Sequence, residues 1–341
     1  MVTFTPYTSK ELITDQDVRW CPGCGDYSIL KQVQTVIPIL NIPREKIVFV
    51  SGIGCSSRFP YYMETYGIHS IHGRATAIAT GLKVSRPDLS VWIVTGDGDA
   101  LSIGGNHFIH LLRRNPDVNI LLFNNQIYGL TKGQYSPTSV EGQVTASSPM
   151  GVLDHPFNPL ALSLGADASF VARGMDRDPK QLQYVIQRAA GHKGSSMLEI
   201  YQNCNVFNDG AFFIYTDKET KPLETIFVED GKPLVYGINR EKGIRLQDGK
   251  PEIVNLESGK YTLDDLWIHN EKDYMKATLL SRFFDHPSIE GHFPRPFGVI
   301  YEANRPCYED AVHTQIENAI ATQGAGNLDD LLRGKQVWEV K

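Results

Sequence analysis

Through its first two hundred residues the chain alternates short apolar runs with stretches whose apolar residues recur at helical spacing. The runs at 47–50, 91–95, 120–123 and 197–201 are each bounded by Gly, Asp or Asn, and predict parallel strands covered on both faces. Between them, residues 26–37, 75–84, 103–113 and 179–190 predict helices. The last has an apolar face at Leu182, Val185, Ile186 and Ala189, with Asp178 placed to cap it. This alternation predicts an α/β fold with a doubly wound, mostly parallel sheet. Residues 129–158 break the pattern, being aperiodic and rich in Gly, Ser, Thr and Pro, and a segment of that length in a compact domain usually serves function. Beyond Cys204 the texture changes. Turn sequences at Gly231-Lys-Pro, Asp248-Gly-Lys-Pro and Ser258-Gly-Lys separate short strands at 234–236 and 252–256. Helical stretches follow at 310–321 and 327–333, so residues 205–341 read as an appended α+β extension, β-rich and then helical.

A length of 341 residues suits about two domains, and 41% hydrophobic with 21% charged residues excludes a disordered or fibrous chain. Up to Cys204 there are 17 basic and 16 acidic residues, and beyond it 16 and 23, so the net charge of −6 resides in the extension. A basic surface for nucleic acid is therefore not expected. No run of eighteen apolar residues occurs, and the N-terminal stretch has no basic region leading into an apolar one. The expectation is a cytoplasmic protein with no membrane association.

The five cysteines are too few and too scattered for a disulfide framework. Cys21-Pro-Gly-Cys24 has the spacing of a redox pair, half a zinc site or half an iron–sulfur site. No strand precedes it, which argues against the thioredoxin arrangement and leaves zinc and iron–sulfur open. Cys55 and Cys204 follow predicted strands, at the strand ends where an open α/β sheet places its ligands. Cys307 has no such setting and is assigned no role.

Gly96-Asp-Gly-Asp-Ala100 follows the second run and Asn124-Asn-Gln-Ile-Tyr128 the third. In a right-handed βαβ unit both strand ends emerge side by side, so the Asp97 carboxylate, the Asn125 amide and the Ile127 carbonyl converge as part of a shell for a small hard cation. The glycines permit close backbone approach, and the helix at 103–113 is placed to aim its N-terminus at a diphosphate. A GDG followed by a strand-terminal Asn-Asn resembles the thiamine-diphosphate (ThDP) motif, whose acid and second Asn hold Mg²⁺ on the cofactor.

Together with His72-Gly-Arg74 and Tyr128-Gly-Leu-Thr-Lys-Gly-Gln134, the motifs Cys21-Pro-Gly-Cys-Gly-Asp26 and Gly52-Ile-Gly-Cys-Ser-Ser-Arg58 resemble the β subunit of the 2-oxoacid:ferredoxin oxidoreductases, most nearly the 2-oxoglutarate type. The similarity spans residues 17–205, and the C-terminal tail is also reminiscent of that subunit. The resemblance implies that residues 1–204 form the ThDP-binding fold of the diphosphate side. It also implies that Cys21, Cys24, Cys55 and Cys204 ligate a 4Fe–4S cluster, and that Asp97, Asn125 and Ile127 bind Mg²⁺. Gly54, Cys55, Ser56, His72, Arg74, Gly96, Gly98, Asp99 and Thr131 would line the ThDP site, with Arg58, Leu130 and Lys132 toward the substrate. Glu64 is read as structural.

The implied reaction is oxidative decarboxylation of 2-oxoglutarate to succinyl-CoA and CO₂, or its reverse. The cofactor's ylid attacks the 2-oxo carbon, and the resulting enamine yields electrons singly to the cluster and on to ferredoxin. ThDP also needs a carboxylate for its aminopyrimidine ring, and the chain holds no second copy of the domain to supply one. An α subunit in an αβ or (αβ)₂ assembly is therefore expected. A distal substrate carboxylate calls for a basic partner, for which Arg58 and Lys132 are candidates. The competing readings are the same chemistry on pyruvate or another 2-oxoacid, a non-redox ThDP subunit with structural or zinc-bound cysteines, and a non-catalytic iron–sulfur module.

Overall fold

The computed structural model describes residues 6–283, 291–338 and 340. Its strands are β1 (Ile47–Ser51), β2 (Tyr66–His69), β3 (Ser90–Gly96), β4 (Val118–Asn124), β5 (Phe170–Met175), β6 (Ser195–Tyr201), β7 (Thr225–Val228), β8 (Val235–Tyr236), β9 (Lys242–Gln247), β10 (Lys250–Asn255) and β11 (Arg295–Glu302). The main sheet has eight strands in the order β2-β1-β3-β4-β6-β5-β11-β7, and β10-β9-β8 form a small second sheet. From β2 to β5 every pairing is parallel, whereas β11 runs antiparallel to β5.

Successive residues of a strand point to opposite faces, and both faces of this sheet are covered. Val48, Val50, Ile93, Ile120 and Leu122 face one apolar layer with Ala79 of α2 (Ala75–Ser85) and Phe108 and Leu112 of a helix at Gly105–Arg114. Ile47, Phe49, Trp92, Leu121 and Phe123 face the other, packing with Ile29 and Val33 of α1 (Asp26–Val36) and with Leu182 and Val185 of a helix at Pro179–Gly191. That burial on both sides is why the runs read as continuous apolar segments. The Asp178 side chain caps the last helix, accepting from the Gln181 backbone N–H at 3.1 Å.

Three readings change. The helix read from residue 103 starts at Gly105, because Asp97–Leu101 forms a separate short helix, α3, directly on the GDG sequence. A Cβ at Gly104 would lie 2.4 Å from the Asp99 carbonyl oxygen, so the chain turns there on a glycine. Strand β5 escapes the pattern because Arg173 interrupts its apolar run. The guanidinium is fully buried and pairs with Glu199, its register partner on β6, at 2.7 Å, and a buried charge needs that kind of partner. Lastly, the segment beyond Cys204 is more than an appendage, since β7 and β11 continue the main sheet. No helix among the described residues is long and apolar enough to cross a membrane.

Candidate active site

Register places four strand ends in a row: Ser51 pairs with Val94, Gly96 with Phe123, and Asn124 with Tyr201. The loops that follow them carry the motifs of the sequence reading except His72-Gly-Arg74, which follows β2 where His69 pairs with Ser51, and Cys21-Pro-Gly-Cys24. That motif arrives at the same edge because Gly25 donates its N–H to the Asn203 carbonyl at 3.1 Å.

One narrow pocket, of about 60 Å³, is lined by Gly54, Cys55, Ser56, His72, Gly96, Asp97, Gly98, Asp99, Asn125, Ile127, Leu130 and Thr131, with Ile53, Tyr128 and Gly129 completing the wall. Asp97 is buried, and its Oδ2 accepts hydroxyl hydrogens from Ser136 and Thr138, each at 2.5 Å. Burial pushes the Asp97 carboxyl upward while these two donors pull it back. Asp99 tethers two loops and the end of β3. Its Oδ1 accepts from the backbone N–H groups of Gly73 at 2.7 Å and Ile53 at 3.2 Å, and its Oδ2 accepts from Thr95 Oγ1 at 2.8 Å. His72 Nδ1 stands 2.6 Å from Asp99 Oδ1, off the line of a hydrogen bond. At Gly98 a side chain is excluded, since a Cβ would lie 2.2 Å from the Tyr128 ring, whose hydroxyl donates to the Gly98 carbonyl at 2.9 Å. Arg74 is not part of this wall. It stands behind His72, donating from Nη1 to the His72 carbonyl at 3.0 Å.

A second cavity, of about 190 Å³, opens among Cys21, Cys24, Cys55 and Cys204, with Asp26, Arg58, Leu130, Lys132 and Gln202 also on its wall. Its volume is many times the roughly 10–15 Å³ that one water requires. Among the described residues no three His, Cys, Asp or Glu side chains are grouped to hold a single ion, so the sulfurs ring a space rather than meet at a point. Burial pushes the Cys24 thiol well up and the Cys55 thiol to about 12, with Asp26 and the neighbouring sulfurs adding to both. Asp26 is itself buried with no aligned hydrogen-bond partner on either oxygen, and burial raises it to about 7. Cys307 lies elsewhere, buried at the start of the helix Tyr308–Gln323.

The two cavities share a wall. Cys55, Asn125, Gly129 and Leu130 line both, and a Cβ built on Gly129 would lie 3.4 Å from Cys204 Sγ and 3.8 Å from Cys55 Sγ. Arg58 and Lys132 face the sulfur side only. The sequence reading missed Ser136, Thr138, Tyr128 as a pocket residue, and Gln202. Ser136 and Thr138 carried a signal as part of the long aperiodic segment, and Tyr128 as the residue shared by the 124–128 and 128–134 motifs, whereas Gln202 carried none.

Residues 52–200 match the family model "Thiamine pyrophosphate enzyme, C-terminal TPP binding domain", which defines the class of this domain. The chain is 51% identical to the 2-oxoglutarate oxidoreductase subunit KorB of Mycobacterium tuberculosis, over 99% of this chain and 90% of that protein. It is 36% identical to the 2-oxoacid:ferredoxin oxidoreductase subunit beta of a Sulfolobus species, over 99% and 100%. Among solved structures, the 2-oxoglutarate:ferredoxin oxidoreductase of Magnetococcus marinus, with 2-oxoglutarate, coenzyme A and succinyl-CoA bound, superposes with a TM-score of 0.75 at 30% identity, covering 96% of this chain and 94% of that one. The chain belongs to the β subunits of the 2-oxoacid:ferredoxin oxidoreductases.

Proposed function

We propose that this chain acts in the cytoplasm as the β subunit of an enzyme converting 2-oxoglutarate, CoA and oxidised ferredoxin to succinyl-CoA, CO₂ and reduced ferredoxin, or the reverse. Asp97, Asn125 and the Ile127 carbonyl are hard oxygen donors suited to Mg²⁺ on a diphosphate, whereas Cys21, Cys24, Cys55 and Cys204 are soft donors suited to iron–sulfur. When bound, ThDP supplies the carbanion chemistry of decarboxylation and a 4Fe–4S cluster supplies a one-electron acceptor. The protein's own part is positional. Ser136 and Thr138 hold the carboxylate of Asp97, Tyr128 braces Gly98, and Asp99 ties the loops of Ile53 and Gly73 together. For the distal substrate carboxylate the proposed partners are Lys132 and Arg58, which line the sulfur-bearing cavity together with Leu130 of the shared wall.

The observation that carries the reading is the shared wall, because it makes neighbours of a hard-cation pocket and a ring of thiols. The pocket is small beside the roughly 300–1,000 Å³ of a complete ligand site, which supports an α subunit that builds the pyrimidine side in an αβ or (αβ)₂ assembly. The test is anaerobic co-purification with the α subunit, analysis for iron and acid-labile sulfide, and assay of 2-oxoglutarate, pyruvate and 2-oxobutyrate with CoA and a one-electron acceptor. A loaded complex that prefers 2-oxoglutarate is expected. A complex without iron and sulfide, or full activity from this chain alone, would refute the reading, and preference for pyruvate would move it to another substrate of the same family.

A further inference from the structure

Gln202 follows β6 and is 1% exposed. Its amide touches both halves of the site: Asn125 Nδ2 donates to Gln202 Oε1 at 2.7 Å, and Gln202 Nε2 donates to Cys24 Sγ at 3.2 Å. The direction of this relay is anchored by backbone. Nε2 also donates to the Asn203 carbonyl at 2.7 Å, and a carbonyl accepts only, so the NH₂ end of Gln202 must face Cys24 and its oxygen must face Asn125. That oxygen in turn requires the NH₂ end of Asn125 to point toward it. Asn125 Oδ1 is thereby left as the acceptor, and it takes the Ile127 N–H at 3.2 Å, in the turn that brings Ile127 to the pocket wall.

We propose that Gln202 is a positioning residue that serves two centres with one amide. Its oxygen fixes the orientation of Asn125, so that Oδ1 is offered to the metal. Its N–H stabilises negative charge on Cys24 sulfur, which the Asp26 backbone amide also approaches. Hydrogen bonds to cluster sulfurs favour the reduced, more negative state and so raise the reduction potential. Outer partners that orient a ligand typically change metal affinity by roughly 10–100-fold when removed. This inference rests on the functional reading above, and it adds that the two centres are mechanically coupled through one side chain.

Two variants of the co-expressed, anaerobically purified complex separate the two roles. Gln202→Leu removes both hydrogen bonds, and Gln202→Glu keeps an oxygen for Asn125 while losing the N–H to Cys24. With iron and sulfide content equal to the parent, Gln202→Leu is expected to weaken Mg²⁺ binding roughly tenfold and to shift the cluster midpoint potential downward in an EPR-monitored titration. Gln202→Glu is expected to lower the potential without weakening Mg²⁺. In the parent complex, the reduced cluster should show hyperfine coupling to a side-chain nitrogen after ¹⁵N-glutamine labelling, a measurement that needs no variant to fold. Absence of that coupling, or a loaded Gln202→Leu complex with parental potential and Mg²⁺ affinity, overturns the assignment. So does equal loss of Mg²⁺ affinity in both variants. A parent complex without iron and sulfide would instead overturn the functional reading beneath it.

Discussion

The pocket around Asp97 and the cavity around the cysteines lie side by side at one sheet edge, yet their interiors are completed differently. In the pocket, Ser136 and Thr138 already satisfy one oxygen of Asp97, and Asp99 accepts from Thr95 and two backbone amides. In the cavity, two thiols are pushed well above their ordinary range by burial, and Asp26 has no aligned partner on either oxygen. Protein hydrogen bonds thus hold both carboxylates of the hard-donor side, whereas the buried carboxylate of the soft-donor side, Asp26, is left without an aligned partner, a state that a positively charged guest relieves.

The comparison predicts effects that separate cleanly. Cys24→Ala should abolish cluster assembly and CoA-dependent electron transfer while leaving Mg²⁺ and ThDP binding measurable. Asp97→Asn should do the opposite, lowering Mg²⁺ affinity by about 100-fold with iron and sulfide retained. If either substitution empties both sites, they are one cooperative unit and the contrast is lost.

A smaller effect sharpens the pocket side. Ser136→Ala and Thr138→Val each remove a donor to Asp97, and calorimetry should show Mg²⁺ binding weakened roughly tenfold with unchanged iron content. Unchanged affinity would mean that the carboxylate holds its orientation without them. On the sulfur side, Lys132 is exposed, so Lys132→Ala is expected to lower kcat/KM for 2-oxoglutarate by roughly tenfold, the lower end for a hydrogen bond to a charged group. Turnover of pyruvate should stay near the parent value. Equal losses on both substrates would remove Lys132 from distal-carboxylate selection.

The smallest effect belongs to neither cavity. His192 and His269 are buried where the segment beyond Cys204 joins the sheet, and burial lowers the pKa of each in spite of acidic neighbours. At these two positions the folded state binds fewer protons than the unfolded chain, so the stability they contribute rises with pH and is lost as pH falls below about 6.5. In thermal melts between pH 7.5 and 5, the acid-side loss of Tm should be smaller in His269→Gln than in the parent. A profile unaltered by that substitution would assign the decline to other groups.

Much of the fold was legible because its central strands are covered on both faces and so spell apolar runs. Strand β2 was not, since it is an edge strand with Tyr66 64% exposed. The seam at β7 and β11 was hidden because its strands lie far along the chain from their partners. Within the site, the donor types and their order along the chain were readable at Cys21, Cys24, Cys55, Asp97, Asn125 and Cys204, which line the two cavities. Arg74 read as a pocket residue from its neighbourhood in sequence, but its side chain turns back onto the His72 carbonyl.

What the sequence alone determined is the chemistry on offer: soft sulfurs, one hard carboxylate and one amide, all but Cys21 and Cys24 following a strand, because donor identity is a property of single residues and strand ends are set by local pattern. What only the tertiary structure decided is who orients whom. Thr138 reaches Asp97 across 41 positions and Gln202 reaches Cys24 across 178. A hydrogen bond is specified by distance and direction in space, and separations of that size along a chain specify neither until the sheet has brought its strand ends together.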